Sequence, residues 1–246
     1  MKQRKLTATD LELAMRWIII ALCAVAAAKY LREGDRVSLA AAGLTVFLLL
    51  LPPLLARLLR VFMPISFRLV WWAFIFAAMY LGELHSFFYR FLWWDDMLHT
   101  ASAMLVTYGG LILLFLLNRD PQIDSKLRPG YIALILVCFT LAFGAAWELF
   151  EFSADRLLGV NMLKGRDSTL ANSVYDMGRA LVNTMQDLAL DLLGATLVAI
   201  TAWWLLRAGK LRSSAFGVPL RQFIEANPNL FRARASAKIA PPVSRP

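Results

Sequence analysis

Six apolar runs of about membrane-spanning length leave this sequence little choice of fold, because about 20 apolar residues in a helix cross the hydrocarbon of a bilayer. They are Leu11–Leu31, Val37–Leu55, Arg68–Phe88, Asp95–Leu117, Pro129–Phe152 and about Met185–Arg207. Gly34-Asp35, Pro64, the stretch from Asn118 to Pro129 and the polar run from Ser153 to Asn183 separate them. Pro52-Pro53 predicts an end or a kink in the second run. The expected fold is all-α: a polytopic transmembrane helical bundle over residues 1–207, followed by a flexible basic cytoplasmic tail over 208–246. Charged residues make up only 17% of the chain, where a soluble domain carries about a quarter.

The net charge of +9 would raise nucleic acid as a partner in a soluble protein, but here the basic residues sit in loops and tail. Topology and anionic lipid account for them, so membrane lipids are the expected partner and nucleic acid is not. With the N-terminus inside, the inward segments carry about twice as many Lys and Arg as the outward ones. Both termini are therefore expected in the cytoplasm, with the protein multi-pass in a bacterial inner membrane. Met1–Ala28, with its basic start and Ala-rich end, also has the shape of a signal peptide. Its cleavage would leave five spans in the same orientation. Cys23 and Cys138 each lie in an apolar run and suggest neither a disulfide framework nor a metal site.

Ionisable residues inside spans are costly and mark function by default. Asp95 and Asp96 stand four and three residues before His99, on one helix face. Glu148, Glu151 and Asp155 continue one face of the fifth run, and Asn183, Asp187 and Asp191 recur every four residues. Glu83 and His85 close the third run. At 1.5 Å per residue, His85, His99, Glu148 and Asp191 each lie roughly 24–28 Å from the inner end of their helices. Helices of opposite direction thus bring their polar groups to one depth, the outer edge of the core. Gly144, Gly194 and the alanines around them would let these helices approach closely.

Three segments in order carry a resemblance: Trp94-Asp95-Asp96-Met97-Leu98-His99, Trp147-Glu148-Leu149-Phe150-Glu151-Phe152, and Asn183 through Asp187 and Asp191 to Gly194-Ala195. Over about Tyr89–Ala199 the chain resembles the bacterial membrane proteins typified by YjdF, a family without an assigned reaction. It is more loosely similar to VanZ-like proteins. Asn183 stands where the YjdF pattern has Asp. The resemblance implies site positions but no chemistry.

The residues themselves predict a metal site with His99, Glu148, Asp187 and Asp191 as ligands, supported by Asp95, Asp96, Glu151, Asn183, His85 and Glu83. One His among many carboxylates suits Mn, Fe, Mg or Ca. Such an ion could activate water against a lipid-linked or envelope substrate. Two other readings stay open. One is a small-solute or proton-coupled transporter. The other is a structural bundle whose carboxylates pair with Arg90, Arg156 or Arg179. No G-x-S-x-G, H-E-x-x-H, Walker A or C-x-x-C motif occurs.

Overall fold

A computed structural model describes residues 8–58, 60–117, 127–167 and 173–231. All regular structure among them is helical: α1 (Ala8–Glu33), α2 (Arg36–Leu58), α3 (Ile65–Ile75), a π-helical segment (Phe76–Leu84), α4 (Phe87–Arg90), α5 (Trp93–Leu117), α6 (Pro129–Leu158), α7 (Met177–Arg207), α8 (Val218–Ala226) and α9 (Pro228–Phe231). Six helices are long and apolar enough to cross a membrane, α3 and the π segment forming one of them. The chain is thus a multi-pass membrane bundle. It packs as two three-helix halves, α1–α2–α3/π and α5–α6–α7, with α7 lying along both α5 and α6.

The prolines in α2 do not end it, and the reason is local. Without their N–H groups, Pro52 and Pro53 release the carbonyls of Leu48 and Leu49 four residues earlier. The indole N–H of Trp71 donates to Leu48 O (2.8 Å) and that of Trp72 to Leu49 O (3.1 Å). Each freed carbonyl would otherwise cost about 1–3 kcal/mol if left unpaired away from water. A tryptophan pair on α3 therefore lets a proline pair continue inside α2, to Leu58.

The third span departs from regular α geometry beyond Ile75. There the hydrogen bonds lengthen to the i→i−5 pattern, as in His85 N–H to Tyr80 O (3.1 Å). Ser86 then turns the chain with a left-handed backbone, φ +59°, into the short α4.

Three expectations need revision. The fifth and sixth spans are longer than hydropathy implied, at 30 and 31 residues, or about 45 Å each, against a hydrocarbon core of about 30 Å. The helical spacing of Leu170, Val174, Met177, Leu181 and Met185 suits a lid or an interfacial helix on the outer membrane surface. Instead residues 177–185 are the first turns of α7, started by Asp176, whose carboxylate accepts from Gly178 N (2.8 Å) and Arg179 N (3.3 Å). Leu170 lies outside the described residues.

The flexible tail expected from residue 208 is folded as far as 231. Leu211, Leu220 and Phe223 are buried against the end of the α5–α7 half, beside Phe67 and Tyr108. The Asn227 side chain closes this contact, accepting from Phe62 N (2.6 Å) and donating to Phe62 O (2.7 Å) and Phe223 O (2.8 Å). Apolar spacing in α8 outweighed the Ser, Pro and Arg content that suggested disorder. Residues 232–246 of that tail lie outside the described residues.

Candidate polar site at one end of the bundle

The first turns of α5, the last turns of α6 and the third and fourth turns of α7 meet at one end of the bundle. Close packing puts them in contact. Gly194 of α7 sits so near α5 that a Cβ there would lie 2.5 Å from Thr100 O. Gly144 of α6 leaves the space that the Asp191 carboxylate occupies. His99, Glu148, Asp187 and Asp191 all point into this junction and are 8%, 5%, 0% and 4% exposed.

The imidazole of His99 lies between two acids of α7. Its Nε2 is 3.8 Å from Asp187 Oδ2, and its Nδ1 is 3.5 Å from Asp191 Oδ1. Asn183 donates through Nδ2 to Asp187 Oδ2 (2.7 Å). One donor atom each from Asp95, His99 and Asp187 falls within 4.8 Å of the others. Glu148 faces His99 and Asp191 from α6, with the Thr184 hydroxyl nearby. Neither Glu148 oxygen has a hydrogen-bond partner among the described residues, nor has Asp187 Oδ1 or Asn183 Oδ1. A buried polar atom in that state is the exception in folded proteins.

Nearer the helix ends lies a second tier. Asp95 takes an ion pair from Lys164 of the α6–α7 connection. The Lys164 ammonium is also within electrostatic reach of Glu83, Glu151 and Asp187. Glu151 is buried and accepts from Trp147 Nε1 (2.8 Å), while Asp96 accepts from Gln186 Nε2 (2.8 Å). Asp155 serves the connection itself, accepting from Met162 N (2.6 Å), Leu163 N (3.2 Å) and the Tyr175 hydroxyl (3.0 Å). Burial, and then the Asp155 carboxylate, push the Tyr175 hydroxyl above its ordinary pKa, so it stays a donor at neutral pH.

His85 is the sequence candidate set apart. Its ring packs on Tyr80, 4.6 Å between centroids, on an exposed surface. Two arginines of the structural reading also turn elsewhere. Arg156 reaches Met177 Sδ and the rings of Phe152 and Tyr175, and Arg179 pairs with Asp167 (3.1 Å). Lys164 and Gln186 are not legible as site residues in the sequence. Nothing in a short loop sequence says that its lysine reaches back across two helices. Lys164 has a left-handed backbone, φ +53°, which costs a non-glycine residue about 1–3 kcal/mol.

The carboxyl groups of Asp95, Glu148, Glu151, Asp187 and Asp191 thus outnumber the basic groups among them, His99 and Lys164, while Glu83 stays exposed. Crowded buried acids must take up protons or a cation. Below them the polar character stops at the Thr107–Thr140 hydroxyl pair (2.8 Å). Leu111, Leu136, Ala199 and Ala202, all 0–2% exposed, then close the bundle.

The model of a family described as a predicted membrane protein, DUF2238, matches residues 14–208. An uncharacterized protein of Thermotoga maritima is 26% identical over 104 residues, 42% of this chain. The chain spans about half, 52%, of that relative's length. No solved structure matches.

Proposed function

The chain belongs to DUF2238, a family of predicted membrane proteins, and we propose that it binds a divalent cation at the polar end of its α5–α7 half. Glu148 carries this reading. It is a buried carboxylate with neither oxygen in a hydrogen bond of ordinary geometry among the described residues, set against His99 and a surplus of further acids. Leaving it so is costly in any fold that does not supply a cation. Asp95, His99 and Asp187 are the first ligand set, and Glu148 approaches from α6 on the side of His99 and Asp191. Asp191 then holds the other imidazole nitrogen, the partner that orients a metal-ligating histidine. Oxygen-rich ligation with one imidazole favours Mn, Fe, Mg or Ca.

Detergent-purified protein should retain such an ion after dialysis, and His99→Ala should lose it. Metal content by mass spectrometry decides this; equal, near-zero content in both proteins would remove the reading.

The positive-inside distribution of Lys and Arg assigns the polar end to the outer face of a bacterial inner membrane. Reporter fusions near Lys164 should accordingly read external and those after Arg207 cytoplasmic, and a cytoplasmic Lys164 would reverse the assignment. An ion there, ringed by exposed Trp93, Trp147 and Leu92, suits a lipid-linked or envelope substrate whose polar group meets the site at the interface. Transport fits less well, because the apolar layer of Leu111, Leu136, Ala199 and Ala202 closes the bundle below the site among the described residues. The likeness of the three motifs to YjdF-type proteins supports the choice of residues, and nothing rests on the looser one to VanZ-like proteins.

A further inference from the structure

We propose that Lys164 is a tethered cation that competes with the divalent ion for Asp95. This deepens the metal reading and rests on it. The observation is a shared carboxylate. Asp95 belongs with His99 and Asp187 to the group of donor atoms within 4.8 Å, and its Oδ2 is the atom that Lys164 Nζ contacts.

The delivery of that ammonium is built, not incidental. Residues 159–167 leave α6 through Gly159, at φ +69°, and fold back over the helix ends. Asp155 pins Met162 and Leu163 by their backbone N–H groups. Asn161 pins Arg166 in both directions, Nδ2 to Arg166 O (3.1 Å) and Arg166 N to Oδ1 (2.8 Å). Asp176 N–H holds Gly165 O (2.8 Å). Between these fixed points Lys164 alone takes the left-handed conformation, and its side chain runs inward over the Phe88 ring, 5.4 Å from Nζ to the centroid. The ammonium there neutralises Asp95 and is within electrostatic reach of Glu83, Glu151 and Asp187.

A positive charge in that place weakens the field a divalent ion needs, and it pairs with one of the ligand carboxylates. The two cations therefore exclude each other at Asp95. Displacement requires no unfolding of the loop, because a lysine ends in a point charge on a flexible four-carbon stem. In the ion-free protein Lys164 partly neutralises the acids; in the ion-bound protein it is released toward the membrane interface, free to meet an anionic group on an arriving molecule.

The test is Mn²⁺ titration of the detergent-purified full chain, read as free Mn²⁺ by electron paramagnetic resonance. Lys164→Met should bind at least tenfold more tightly than wild type, while Lys164→Arg, which keeps the charge, should bind no more tightly. Saturating Mn²⁺ should also raise acylation of Lys164 in wild type several-fold, measured by peptide mass spectrometry. Equal or weaker binding by Lys164→Met, or Lys164 labelling unmoved by Mn²⁺, overturns this inference and leaves the metal site standing. Absence of Mn²⁺ binding in wild type and both variants overturns the metal site and this inference together.

Discussion

Stripped of divalent ions, Glu148→Gln should melt above the parent protein; with Mn²⁺ in excess the order should reverse. The parent strands two buried carboxylate oxygens beside Asp191. A carboxamide there removes the like-charge repulsion and can donate to Asp191, recovering part of the roughly 1–3 kcal/mol that a stranded buried polar group costs. An ion that binds only the folded state adds about 2.7 kcal/mol at a hundred times its Kd, or roughly 5–10 °C for a chain of this size. The variant forgoes most of that gain. A salt-bridged scaffold behaves otherwise: Glu148→Gln would melt lower in both conditions, and Mn²⁺ would act no differently from matched ionic strength. Thermal melts of both proteins with chelator and with Mn²⁺ separate the two cases.

Gly144→Ala should abolish ion retention without harming the fold. Alanine exceeds glycine in helix propensity by about 1 kcal/mol, so α6 itself gains. The added Cβ, however, would fall on the Asp191 carboxylate, which must withdraw from His99 Nδ1. Losing the partner that orients a ligating histidine typically costs 10–100-fold in metal affinity. Gly109→Ala is the control, because a Cβ there meets nothing within 4 Å. Retained ion in Gly144→Ala, at a melting temperature equal to wild type, would show that Asp191 plays no part in holding the ion.

The sequence by itself determined the number of spans, the helical class and the junction at which the polar residues gather. Each follows from a local rule: apolar length against bilayer thickness, i, i+4 spacing on one face, and small residues where helices must touch. His99, Asp187 and Asp191 were placed together on those grounds, and they do meet.

What a span count cannot contain is how a broken local rule is repaired elsewhere. Pro52-Pro53 is a helix break in α2 considered alone and a continuous helix once Trp71 and Trp72 arrive from α3. Asn183 belongs to the apparent loop on a hydropathy scale, yet lies inside α7, which begins at Met177. Leu211, Leu220 and Phe223 find a core only where α3 and α5 present one. The rank of the site residues was likewise decided in three dimensions. Asp95 joins His99 and Asp187, Asp191 takes the far imidazole nitrogen, His85 faces away, and Lys164 enters from a loop. Spacing along one helix determines which side chains share a face. Only packing decides which face meets which, and a side chain crossing from a loop obeys no period at all.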